Sequence, residues 1–211
     1  MPSNDFERFY ESCFGDTVPV VRDGVNQKAI MNLEGNERRE AKRLLLQSLG
    51  TDKDTYSRPV IALGLLCCKE AAEPLKERLN NAAGTDRIET ALALFRIEKY
   101  PEAENIIINC LRVTNTNNPY DPTRLLAVAV LPFLERTHQV VQALLETMTE
   151  DNIIGYIATQ SLRKLFIEDE AVRDLLGEIL LVKHDIHKPG FVGRPKLVKQ
   201  AIELINSRLV D

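Results

Sequence analysis

The sequence predicts an all-α protein, an α-solenoid (α-α superhelix) of about five stacked antiparallel helix pairs with capping helices at its N- and C-terminal ends. Three observations predict it. Apolar residues recur at three- and four-residue spacing through most of the chain. A small residue followed four positions later by a large apolar one recurs as Ala62 with Leu66, Ala91 with Phe95, Ala127 with Leu131 and Ala158 with Leu162, at steps of 29, 36 and 31 residues. Prolines fall where helices should begin or break. The whole of 1–211 is expected to form a single repeat domain, with 1–24 as N-terminal cap, 25–182 as repeats and 183–211 as a basic segment and C-terminal helix.

"NDFERFYESCF" (4–14) holds four of the twelve Phe and Tyr residues, and suits a helix that covers the open apolar end of a stack. "VNQKAIMNLEGNERREAKRLLLQSLG" (25–50) reads as a short helix ending near Leu33 and a second from Glu37 to Leu49. Ser57, with Pro59 behind it, is placed to cap a first helix, and "EAAEPLKERLNNA" (70–82) is its second. "DRIETALALFRIEKYPEAENIIINCLRV" (86–113) is a helix pair broken at Lys99-Tyr100-Pro101, with Pro101 opening the second helix. "TNTNNPYDP" (114–122) is a loop that lengthens the middle step. Asp121 then caps "RLLAVAVLPFLER", inside which Pro132 removes a backbone hydrogen bond and should kink the helix. "THQVVQALLETMT" (137–149) and "DEAVRDLLGEILLV" (169–182) are further second helices, and "RPKLVKQAIELINSRLV" (194–210) is an amphipathic terminal helix.

A 44% hydrophobic and 27% charged composition is that of a folded chain. The first thirty residues carry acids and arginines throughout and have no apolar core of the signal-peptide kind. The longest apolar runs, 59–68 and 125–134, reach half of the roughly 20 residues a membrane-crossing helix needs, so no membrane partner is expected. Cys13, Cys67, Cys68 and Cys110 show no CxxC spacing and read as reduced, mostly buried thiols of a cytoplasmic protein. The net charge of −4 argues against a dedicated nucleic-acid binder.

"SRPVIALGLLCCKEAAEPLKERL" and "DRIETALALFRIEKYPEAENIII" resemble HEAT-like repeats, in particular the short bacterial form associated with phycobilisome lyases. The resemblance rests on Arg58, Ala62, Leu65, Ala71, Ala72 and Leu75 in the first, and on Asp86, Arg87, Ala91, Leu94, Ala103 and Ile107 in the second. "DPTRLLAVAVLPFL" shares Asp121 and Arg124, and 152–182 lacks the early Arg. The resemblance covers roughly 25–182. It implies an armadillo-like fold whose second helices line a concave face, and it specifies packing positions rather than an activity.

On that implied face the non-core positions are Glu73, Glu77, Asn105, Asn109, Arg112, Gln142, Glu146 and Arg173. Ile108 joins them because "NIIIN" is too apolar for one buried stripe, although packing between repeats would also account for it. A second candidate is the segment 182–199, where Lys183, Lys188, Arg194, Lys196 and Lys199 stand against Asp185 alone. It reads as an anion or acidic-partner patch, or as a solvated connection into the last helix. His184, Asp185 and His187 have no third ligand in a zinc pattern, and no nucleophile elbow, dinucleotide fingerprint or P-loop occurs. No catalytic, metal or cofactor residue is therefore expected. The leading expectation is a non-enzymatic scaffold that binds another protein. The resemblance also admits a bilin lyase-like or chromophore-binding protein, and a HEAT-like nucleic-acid binder, which the acidity and lack of Trp disfavour.

Overall fold

The computed structural model describes residues 2–15, 25–49, 57–113, 118, 120–150, 152–183 and 195–209, with backbone alone at 182 and 183. Among these residues every regular element is helical: α1 (Asn4–Phe14), α2 (Gln27–Asn32), α3 (Gly35–Leu49), α4 (Arg58–Leu65), α5 (Ala72–Asn81), α6 (Gly84–Glu98), α7 (Ala103–Arg112), α8 (Pro122–Val130), α9 (His138–Met148), α10 (Ile153–Leu165), α11 (Glu170–Lys183) and α12 (Pro195–Ser207), with 3-10 turns at Lys69–Ala71 and Leu131–Phe133. None is long and apolar enough to cross a membrane. The chain divides into two compact units, Met1–Ile106 and Ile107–Asp211, and the division falls inside α7.

In the first unit α1 packs on α2, α3 and α4, α2 and α3 on α4, α4 on α6, and α5 on α6. Phe9 is fully buried, its ring 5.6 Å from Phe6 and 6.0 Å edge-on from Phe14, so the aromatic residues of α1 cluster where it packs on α2, α3 and α4. Ala62 and Ala91 are both fully buried on the two first helices that meet, α4 and α6. The tightest approach there is at Gly64, where a Cβ would stand 2.8 Å from the Ala93 Cα. Helix α4 ends in a Schellman turn: the Cys67 amide donates to the Gly64 carbonyl and the Cys68 amide to Leu63. Cys67 takes the left-handed position at φ 47° that glycine usually fills. Its side chain is exposed, whereas Cys13 and Cys68 are buried and Cys110 is partly so; none of the four is in a disulfide. Burial pushes the Cys13 thiol up to about 12.

Ser57 does not cap α4. No side-chain cap bond is present there, and the hydroxyl is engaged by Glu89 of α6 instead. Burial raises the Glu89 carboxyl above its ordinary value, and the Ser57 bond partly offsets that. The early arginines have a physical role that their spacing alone did not give. Helix C-termini leave carbonyls without intrahelical partners, and arginines in the first turn of other helices supply donors. Arg58 Nη1 reaches the carbonyls of Gly15 (3.1 Å) and Ser12 (3.4 Å) at the end of α1, and Arg38 Nη2 that of Leu66 (3.1 Å) after α4.

In the second unit α8 packs on α10, α9 on α10, α10 on α11, and α11 on α12. Asp121 caps α8 as expected, accepting from the amides of Thr123 and Arg124. Arg124 is 7% exposed; its Nε donates to the Leu111 carbonyl at 2.8 Å and its guanidinium pairs with Glu150. Pro132 turns α8 into a 3-10 end rather than a simple kink. It leaves the Val128 carbonyl without its i+4 donor, and the buried Ser161 hydroxyl of α10 donates to that carbonyl at 2.8 Å. Ser161→Ala is therefore expected to cost about 1–2 kcal/mol, the desolvation of an unpaired buried carbonyl. The check is a denaturation series on Ser161→Ala, Pro132→Ala and the double variant. Pro132→Ala restores an amide donor at that position, so the cost of Ser161→Ala should shrink in its background.

Candidate functional site

The site is built on the hairpin of α10 and α11. Asn152 starts α10 by accepting from the amides of Ile154 (2.9 Å) and Gly155 (3.0 Å). Ile154, Ala158, Ser161 and Leu162 form the buried face. This leaves Gln160, Arg163 and Lys164 together on one stripe of α10 at i, i+3 and i+4, with Ile167 in the turn that follows the helix. Arg163 and Lys164 sit in the last turn, where the macrodipole favours cations.

Asp169 starts α11, accepting from the Val172 amide at 3.1 Å, and its second oxygen takes Arg208 Nε at 3.0 Å after α12. The Val172 amide, with Arg208 beside it, holds the Asp169 carboxyl below its usual range. A lowered folded value means that the contribution is present above the unfolded value near 3.9 and is lost as pH falls through the folded one. The protection of amides in the first turn of α11, taken relative to the intrinsic exchange rate at each pH, should accordingly fall on acidification below about pH 4. Asp169→Asn, which keeps an acceptor but not the charge, should flatten that dependence.

From α11, Arg173, Gly177 and Leu180 face the α10 stripe at i, i+4 and i+7. Between the two stripes lies an open cleft of about 430 Å³, lined by Gln160, Arg163, Lys164, Ile167, Arg173 and Leu180. Gly177 lies beside it, where a Cβ would stand 3.9 Å from the Arg163 guanidinium. Arg173 is held by Asp174 (3.3 Å), Glu170 (3.7 Å) and the Ile167 carbonyl (3.4 Å). Arg163 and Lys164 make no ion pair or hydrogen bond with any described residue. Ile167 is 62% exposed beside them, and Leu181, one position beyond Leu180, is 78% exposed. Cations with spare donors next to uncovered aliphatic side chains can hold an anionic, partly apolar ligand.

The residues singled out from the sequence are distributed differently. Glu73 is exposed and pairs with Lys76 (2.8 Å), which also holds Glu98 (3.0 Å). Glu77 borders a hollow of about 480 Å³ between α3 and α5, with Leu46, Leu49, Pro74, Arg78 and Asn81. Asn105 and Asn109 are exposed on α7. Ile108 is a correction: at 3% exposure it is a core residue, because α7 buries a stripe of Ile107, Ile108 and Leu111 wide enough to include it. Arg112 and Glu146 are brought together as an ion pair at 3.1 Å, with both side chains more than half exposed. Such a pair contributes little. Gln142 is occupied, donating to Asn206 at 2.8 Å and so tying α9 to α12. Arg173 alone of this set stands in the cleft.

Of the basic segment, Lys196 and Lys199 are exposed on α12, Lys199 3.8 Å from Glu203. Lys188, Arg194 and the Lys183 side chain lie outside the described residues, as do His184, Asp185 and His187. Gln160, Arg163, Lys164 and Ile167 escaped the sequence reading because their unit departs most from the repeat pattern. A signal was present in the i, i+3, i+4 stripe and in the glycine that interrupts the apolar α11. No family model, curated protein or solved structure matches the chain.

Proposed function

We propose that the chain is a non-enzymatic interaction module that binds another protein on a HEAT-like helical framework. The framework is supported by the way first helices meet across one step of the repeat: α4 packs on α6 and α8 on α10, with Ala62, Ala91, Ala127 and Ala158 all fully buried. Repeats of this kind bury their regular positions against neighbours and leave irregular ones to meet a partner. The free thiols fit a reducing, cytoplasmic setting.

The observation that carries the binding reading is the α10–α11 cleft, where Arg163 and Lys164 are uncompensated beside the exposed Ile167. Two exposed cations side by side with no ion pair to a described residue can take up a partner's acids without first breaking a contact inside the molecule. The test is affinity purification from native extract with the tagged full-length chain and with Arg163→Glu/Lys164→Glu. Proteins retained by the first and lost from the second are expected. An empty eluate, or the same proteins from both, would contradict the reading.

A further inference from the structure

We infer that the α10–α11 cleft is a docking site for an acidic, leucine-containing peptide segment of a partner protein; this rests on the interaction-module reading above and names what the site takes. Among the described residues of the second unit, Arg112, Arg124, Arg173 and Arg208 each face a carboxylate, and Arg136 lies 5.0 Å over the Phe166 ring. Arg163 has neither. Its planar fork and the Lys164 ammonium project from adjacent positions at the cleft edge, so two neighbouring carboxylates can be held at once, one by the bidentate fork.

Shape supplies the second half. Leu180 and the exposed Ile167 are the aliphatic part of the lining, and Gly177 lies against the Arg163 guanidinium. A volume of about 430 Å³ accommodates a few side chains rather than an extended surface. An aliphatic side chain of the ligand, next to its carboxylates, would cover Leu180 and Ile167 and strengthen the ion pairs by excluding water. The surrounding charges select a short acidic segment over a polyanion. Glu168, Glu170, Asp174 and Glu178 are all exposed on the same hairpin. A nucleic-acid backbone, with a charge at every phosphate, would be repelled by these acids wherever it left the cleft, whereas a peptide places its acids at two positions only.

The test is fluorescence anisotropy on the full-length chain with a labelled peptide of core Leu-Asp-Glu-Leu-Leu. Controls are the same peptide with Lys-Lys in place of Asp-Glu, one with Ser in place of every Leu, and a twelve-nucleotide oligothymidylate. The expected result is saturable binding of the first probe, at least tenfold tighter than any control. Arg163→Glu/Lys164→Glu should weaken it tenfold or more. So should Gly177→Met, which sets an apolar side chain against the Arg163 guanidinium without changing charge and favours the helix. Binding of the acidic peptide no tighter than the lysine control, or unchanged in both variants, would overturn the proposal, and tighter binding of the oligonucleotide would replace the peptide with a phosphate backbone. If these probes fail while charge reversal still abolishes partner capture, the peptide class falls and the interaction module stands. If capture is also unaffected, both fall.

Discussion

Arg124→Met is expected to lower stability by about 3 kcal/mol, the scale for removing one partner of a largely buried ion pair. For a chain of this length that is roughly 6–12 °C in Tm. The side chain does two things at once. Its Nε satisfies the Leu111 carbonyl at the end of α7, and its guanidinium compensates Glu150 beside the start of α10. Methionine fills much of the volume and supplies neither donor nor charge, so the Leu111 carbonyl loses its donor and the Glu150 carboxylate, which keeps the Asn152 side-chain amide at 3.0 Å, loses the guanidinium that balances its charge. Arg124→Lys should recover only part of the loss, because an ammonium cannot address both acceptors with the geometry of the fork. Glu150→Gln added to Arg124→Met should cost less than Glu150→Gln in the parent. Thermal melts followed by circular dichroism on these variants check the expectation.

Gly64→Val is expected to cost about 3 kcal/mol, at the upper end for overpacking a tight core. The new Cβ would stand 2.8 Å from the Ala93 Cα and 3.0 Å from the Ala93 Cβ, so α4 and α6 must separate at their crossing. Since the nearest atom is backbone, Ala93→Gly should fail to rescue the variant. Urea denaturation of the single and double variants decides it; full recovery in the double would show that the Ala93 methyl, and not the backbone approach, sets the contact.

How far the fold was legible depends on whether the deciding interaction was local. Helix positions were, because the 3.6-residue stripes and the Asp121–Pro122 start lie within one segment. Pro132 was legible as a break, whereas Ser161 as the donor that compensates it was not, since the two are brought together only by α8 packing on α10. The early Arg of the repeat pattern could be seen at 58 and 124, yet its partners, the carbonyls of Gly15 and Leu111, belong to other helices. Ser57 is the reverse case: a good local cap was overridden by Glu89, which burial left in need of a donor.

The candidate site was less legible for a related reason. Polarity along a helix marks what is not core, but whether a charge is spent inside the molecule depends on neighbours. Arg112, Gln142 and Arg173 looked equivalent in sequence, and the fold gives each its own partner, Glu146, Asn206 and Asp174, with only Arg173 at the cleft. Ile108 looked surplus to one stripe, and the fold buries it. Conversely, Arg163 and Lys164 looked like ordinary last-turn cations, and only the folded arrangement shows that neither is paired with a described residue.

The most direct measurement is site-specific photo-crosslinking from the cleft. A photoreactive amino acid placed at Ile167, with Glu178 on the same hairpin as the control position, would be irradiated in cells and the linked peptides sequenced by mass spectrometry. The account predicts partner peptides rich in Asp, Glu and Leu from position 167, lost when Arg163→Glu/Lys164→Glu is added. Crosslinks that are equally abundant from position 178, or that persist in the charge-reversed chain, would contradict it.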